Sequence, residues 1–200
     1  MGKILVVDDH IGVCTAIRSR LEARRHAVHT AQTVDDGIAA LQRAFAERQW
    51  YEVAIIDLVF QNYSGPRQPP PWEPGMRVLE VALQDHFLEP IVLTAHPTVP
   101  TAAEALEKGV FRYVTKSAAD DRLPNDLMFF RRLAETVQLA IETRQVFKEL
   151  DERLSGLRDL LNALRSTGSN PDLIEVASEY LHSAEKAYAI ILKARGRHPG

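Results

Sequence analysis

Four short apolar runs in the first 120 residues each stop at a residue suited to phosphate or metal chemistry. Ile4-Leu5-Val6-Val7 runs into Asp8 and Asp9, and Val53-Ala54-Ile55-Ile56 into Asp57. Ile91-Val92-Leu93 ends at Thr94, and Phe111-Arg112-Tyr113-Val114-Thr115 at Lys116. Runs without polar alternation mark strands covered on both faces. Between them, Val13, Ile17 and Leu21 share one helical face, as do Ile38, Leu41 and Phe45. The pattern predicts strands at about 3–7 and 27–31 and strands ending at Asp57, Thr94 and Thr115 or Lys116. It predicts helices at about Ile11–Arg24, Val34–Arg48, Met76–Gln84 and Thr101–Lys108, the last stopped by Gly109. With right-handed crossovers this is a doubly wound, five-stranded parallel sheet with helices on both faces.

The rhythm is broken once, between residues 61 and 74, where five prolines in fourteen residues predict an extended loop rather than helix or central strand. Such a loop is long for this architecture. It reads as a tolerated surface insertion or, more sharply, as a shield or partner contact anchored by Tyr63 and Trp72.

From about Pro124 the period becomes heptad. Leu133, Ala140, Phe147, Leu154 and Leu161 recur every seven residues, with Leu150, Leu157 and Leu164 at the complementary position. Thr136 and Thr143 weaken the seam before Phe147. A break at Ser166–Pro171 separates this helix, about 124–166, from a return helix, about 172–194. On the latter Leu173, Ala177, Tyr180, Ala184, Ala187 and Ile191 form one stripe. The expected organisation is an α/β domain at 1–123, with the Pro-rich insertion at 61–74, and a coiled-coil or helical-hairpin extension at 124–200. Each stripe needs a partner, either the other helix or a second subunit.

Composition narrows the function little. The chain has 46% apolar and 26% charged residues and a net charge of -3, so no global basic character points to nucleic acid or a membrane surface. No run approaches a membrane span, and the chain begins with a strand, so a cytoplasmic location is expected. The single cysteine, Cys14, reads as a small buried apolar residue.

The strand ends carry the chemistry. Ligands of such sheets bind beyond the carboxyl ends of the strands, so three carboxylates, a hydroxyl and an ammonium converge on one edge. Asp8, Asp9 and Asp57 repel one another at short range unless a cation sits between them, and Mg2+ prefers such oxygen ligands. Lys116 and Thr94 suit phosphoryl oxygens. The set is suited to stabilising charge on a transferring phosphoryl group with a carboxylate as acceptor.

The segments Lys3-Ile4-Leu5-Val6-Val7-Asp8-Asp9-His10, Ile55-Ile56-Asp57-Leu58, Ile91-Val92-Leu93-Thr94-Ala95-His96 and Tyr113-Val114-Thr115-Lys116 resemble the receiver domain of two-component response regulators, over about residues 2–117. The resemblance implies a flavodoxin-like fold, with Asp57 phosphorylated by a sensor histidine kinase or phosphotransfer protein. It further implies that Asp9 and Asp57 hold Mg2+ by their side chains, Asp8 through water and Val59 by its backbone carbonyl. Lys116 would pair with the phosphate, and Thr94 would move toward it while Tyr113 turns inward as the switch. The chain departs from the family pattern at Ser117, where a proline is usual, and at the insertion, after which Gly75-Met76-Arg77-Val78-Leu79 resumes the pattern.

A phosphorylation-dependent response regulator signalling by protein–protein contact or homodimerisation of the tail is the reading that follows. DNA binding is the first alternative. Against it, residues 125–200 hold eleven Lys plus Arg and eleven Asp plus Glu, without the short helices and basic face of a helix-turn-helix. A phosphorelay through His182 is the second, although most helical histidines are merely solvated or packed. No signature of a separate output enzyme is visible in the tail, and neither nucleic acid nor membrane is expected as a partner.

Overall fold

The computed structural model describes residues 1–60, 73–85, 87–95, 97–116, 127–168 and 170–195. The chain forms two compact units, Met1–Arg144 and Gln145–Gly200.

In the first unit strand and helix alternate as β1 (Lys3–Val7), α1 (Ile11–Glu22), β2 (Ala27–Ala31), α2 (Val34–Ala46), β3 (Val53–Ile56), α3 (Glu73–Ala82), β4 (Glu89–Thr94), α4 (Val99–Glu107) and β5 (Arg112–Thr115). All pairings are parallel, and the strand order is β2-β1-β3-β4-β5. The order reverses at β1, so the loops after β1 and β3 open side by side, where such sheets bind ligands.

Successive strand residues serve opposite faces. Leu5, Val7, Ala54, Ile56 and Val92 pack with α2 and α3. Ile4, Val6, Val53, Ile55, Ile91 and Leu93 pack with α1 and with the first part of the long helix α5 (Leu127–Ser166). Both layers are dry enough that β1, β3 and β4 are buried along almost their whole length, which is why they read as unbroken apolar runs. β5 at the edge is half-exposed.

The elements are those the pattern predicts, with ends moved by local chemistry. α1 stops at Glu22, two residues early, because Arg25 takes a positive φ of 66° that closes the helix. α2 ends at Ala46 ahead of Arg48, at φ 54°. α4 starts earlier than expected, since the Thr98 side chain caps Thr101 N and Thr101 returns the bond in a capping box. Gly109, at φ 96°, ends the helix as the sequence predicts. The proline-rich stretch needs one correction. Pro74 is helical, in the first turn of α3, where the missing N–H has no intrahelical role. The rest of that stretch, 61–72, lies outside the described residues, as do His96 and Ser117.

The second unit holds the later part of α5 and α6 (Pro171–Ala194). Asn170 caps α6 through Asp172 N. The two helices form a hairpin whose seam contains buried Leu154, Tyr188 and Leu192, with Phe147 and Leu181 against them. Tyr188 donates to the Phe147 carbonyl at 3.4 Å, and Arg195 lies over the Phe147 ring. The stripe expected on α6 is a real row, but much of it faces away from α5. Leu173, Tyr180, Ala184, Ala187 and Ile191 are exposed, while Ile174, Leu181, Tyr188 and Leu192 turn toward the seam. Periodicity finds faces; it does not say which of two apolar faces is turned inward.

Candidate phosphoacceptor site

The ends of β1, β3 and β5 bring Asp8, Asp57 and Lys116 together, although they are far apart in sequence. Asp57 follows β3 and is fixed by its own N–H donating to the Val7 carbonyl at 2.9 Å. Asp8 N donates to Ala31 O at 3.0 Å, and Lys116 N to Thr94 O at 2.8 Å. Backbone pairing thus sets where each side chain leaves the sheet.

The side chains then converge. The Lys116 ammonium donates to Asp8 Oδ2 at 2.7 Å and to Asp57 Oδ2. All three residues are buried. Asp8, Asp9 and Asp57 each offer a carboxylate oxygen within 4.8 Å of the others, a group able to hold a metal ion. His10 N donates to Asp8 Oδ1 at 3.0 Å, and Val59 N to Asp57 Oδ1 at 3.2 Å. His10 therefore joins the rim through its backbone.

Burial and charge act against one another in this cluster. Burial pushes the Asp8 carboxyl up to about 6 despite the pull of Lys116, and the neighbouring Asp57 charge adds to the rise. Burial raises Asp57 as well, by more than Lys116 and the Val59 N–H lower it. For Lys116 burial works downward, but Asp57 and Asp8 outweigh it and the ammonium is held above its usual range. Asp8 and Asp57 share the single Lys116 ammonium, and two carboxylates at such range raise one another's pKa.

Thr94 is wholly buried at the end of β4. Tyr113 in β5 is half-exposed and directed at α4, its hydroxyl 3.2 Å from that of Thr101. His182 is on the exposed surface of α6 in the other unit.

Three supporting residues escaped the sequence. The Cys14 thiol donates to the Asp8 carbonyl at 3.2 Å, and burial pushes it up to about 12, so it is a donor rather than a reactive thiolate. Thr101 anchors Tyr113; the Thr98-x-x-Thr101 spacing signalled the cap but not this contact. Gly75 packs so closely on the backbone of Asp57 and Leu58 that a β-carbon would collide with it, and its N–H donates to Leu58 O at 3.2 Å. The start of α3 is thereby fixed to the loop that carries Asp57.

The model of the response regulator receiver domain family matches residues 4–128. The chain belongs to that family. Among characterised relatives, the alginate biosynthesis transcriptional regulatory protein AlgB of Pseudomonas aeruginosa is 28% identical over 159 residues, covering 79% of this chain and 29% of AlgB. The nitrogen assimilation regulatory protein NtrX of Azorhizobium caulinodans is 26% identical over 167 residues, covering 82% of this chain and 33% of NtrX. The chain therefore spans about a third or less of these relatives. In fold it is similar to a receiver domain from Clostridium thermocellum, with TM-score 0.54, 24% identity and coverage of 73% and 98% of the two chains. It is also similar to Brucella abortus NtrX in complex with ATP, with TM-score 0.60, 19% identity and coverage of 92% and 40%. No helix among the described residues is long and apolar enough to cross a membrane.

Proposed function

We propose that Asp57 accepts a phosphoryl group from a histidine kinase or phosphotransfer protein, and that the tail carries the output by protein–protein association. The observation that carries the first half is the buried Asp8–Lys116–Asp57 cluster, with a third carboxylate, Asp9, beside it. The donor set is hard and oxygen-only, which fits Mg2+. Asp9 and Asp57 would hold it by side-chain oxygens, Val59 by its carbonyl and Asp8 through water. When bound, the ion supplies positive charge against the phosphoryl oxygens.

The chain's own residues do the rest. An Asp57 carboxylate oxygen attacks phosphorus, the new O–P bond forms as the N–P bond to the donor imidazole breaks, and the imidazole leaves with the bonding pair. Lys116 turns from the carboxylate pair to a phosphoryl oxygen. The Val59 N–H, already aimed at Asp57 Oδ1, donates to the charge that develops there. Thr94 supplies a hydroxyl to another oxygen, and Tyr113 leaves Thr101 to follow it. The test is acetyl phosphate with Mg2+, read by intact mass. The wild-type chain gains one phosphoryl group and Asp57→Asn gains none; equal labelling of both, or none of either, overturns the reading.

A second reading rests on the relatives. AlgB and the GlrR protein of Escherichia coli, the latter 29% identical over 123 residues, are named transcriptional regulatory proteins. Regulation of transcription is therefore an output that the balanced charge of the tail does not remove. Salt-dependent binding of duplex DNA by this chain would favour it over association.

A further inference from the structure

A groove of about 860 Å³ runs along the outer edge of the sheet, between β2 and α2, a size that suits a small ligand. α2 presents Asp36, Ala39, Ala40, Arg43, Ala44 and Glu47 to it, one stripe at helical spacing. The three alanines leave the space that larger side chains would fill. The floor includes Lys3 of β1, His29 of β2 and Tyr51, just before β3.

That floor is rich in donors. His29 Nδ1 and the Tyr51 hydroxyl share a hydrogen bond of 2.6 Å, which leaves Nε2 of the ring for another partner. The Lys3 ammonium donates to Gln49 O at 2.8 Å and stands 4.8 Å from the centroid of the Tyr51 ring, with protons to spare. Arg43, in the last turn of α2, makes no ion pair among the described residues, and neither does Lys3. Burial lowers His29 below its usual 6.5, and the charges of Lys3 and Arg18 lower it further. Burial raises Tyr51, and Arg43 draws it back. The charges acting on this pair of rings are therefore cationic.

The groove also holds two carboxylates. Asp36 is at the other end of α2, about 10 Å along the axis from Arg43, and accepts from the Thr33 hydroxyl at 2.7 Å. Glu47 lies a turn beyond Arg43, at the C-cap, without pairing with it. The edge of β2 is closed to an added strand. Ala27 and Ala31 bond inward to β1, so Val28 and Thr30 turn their backbone groups outward. Arg18 donates from Nε and Nη2 to the Val28 carbonyl at 3.3 and 3.1 Å. An extended peptide would have to displace it; a small ligand would not.

We propose that this groove binds a small polyanion, a di- or tricarboxylate or a phosphate monoester, held between Lys3 and Arg43 with His29 Nε2 as a further donor. Two cations without carboxylate partners, beside a ring nitrogen, suit a ligand whose charged oxygens lie close together. The alanine wall of α2 takes its uncharged part. Nothing in this inference requires phosphorylation at Asp57, so its outcome and that of Asp57 labelling are separate.

The full chain is titrated with citrate and, separately, with inorganic phosphate, in metal-free buffer at constant ionic strength, while the ring resonances of His29 are followed by NMR. At least one of the two anions should shift them saturably. Tighter citrate assigns the site to carboxylates, tighter phosphate to a phosphate ester. Arg43→Gln and Lys3→Gln should each weaken binding by roughly tenfold. Arg43 is exposed, so its replacement spares the core. Arg132→Gln, on the part of α5 that covers the opposite face of the sheet, removes the same charge and should change affinity by no more than about twofold. His29 resonances unmoved by both anions, equal affinity in Arg43→Gln, or equal weakening by Arg132→Gln overturns the proposal.

Discussion

From Leu127 to Arg144, α5 buries Phe130, Leu133, Ala134, Val137, Ala140 and Ile141 in the core that covers the sheet. From Gln145 to Ser166 its buried side chains are Leu154 and Leu161. A single seven-residue spacing, Leu133-Ala140-Phe147-Leu154-Leu161, runs through both stretches. In the first, the flat face of a sheet takes up a wide band of positions, so Thr136 and Thr143 on the heptad do no harm. In the second, one narrow helix covers a narrow band, and the neighbouring leucines stay open. A heptad therefore reports that a helix has a partner without reporting its shape. The weak early seam is not a poor coiled coil; it is a helix on a sheet.

Paired substitutions break this comparison most sharply. Val137→Asp puts an unpaired carboxylate at a wholly buried position and should cost at least about 4 kcal/mol, enough to unfold the first unit. Leu157→Asp, at a half-exposed position, should change the urea midpoint of that unit little. If both unfold the chain alike, the two stretches are energetically one.

Gly75→Ala comes next. Its β-carbon meets the backbone of Asp57 and Leu58, so a loss on the order of 1–3 kcal/mol is expected, with slower phosphorylation as α3 shifts. An unchanged labelling rate would show that α3 does not hold the loop that carries Asp57. Asp8→Asn should act in the other direction. A buried carboxyl pushed up to about 6 opposes folding at neutral pH when no metal is present, and its removal should stabilise the metal-free chain by on the order of 1–3 kcal/mol. In chelator the variant should melt later than wild type, and added Mg2+ should narrow the difference.

The smallest effect is a pH dependence confined to the first unit. His26 accepts from Gly2 N at 3.2 Å, and burial lowers its pKa from the usual 6.5. Its folded state holds fewer protons than its unfolded state, so stability is undiminished above that value and falls as pH drops through it. Protection factors at β1, taken against intrinsic exchange at the same pH, should fall at mildly acid pH, while those in α6 should not respond to this group.

The sheet was legible because β1, β3 and β4 are buried on both faces and so carry unbroken apolar runs, Ile4–Val7, Val53–Ile56 and Ile91–Leu93. Asp8 and Asp57 were legible for a related reason, since each stands where such a run must end, and Lys116 because it closes the last strand of the same rhythm. The Lys116 contacts, the Cys14 bond and the Thr101–Tyr113 pair depend on side chains meeting between elements, and local spacing carries no trace of them. The α6 stripe shows the limit from another angle. Leu173, Tyr180 and Ile191 share a face by period alone, but whether that face met α5 was decided by competition with Tyr188 and Leu192. Helix ends shifted at Arg25 and Arg48, where residues other than glycine take positive φ.

The bond from Gly75 N to Leu58 O closes a neck just beyond Asp57. Whatever chain lies between the two sides of a neck can grow at small cost, about 0.6 kcal/mol for each doubling of a flexible loop. The neck thus separates the length of the chain between its two sides from the position of Asp57. It marks a place where a peptide, a fluorophore or a whole foreign domain could be grafted while Asp57 stays in register with Lys116.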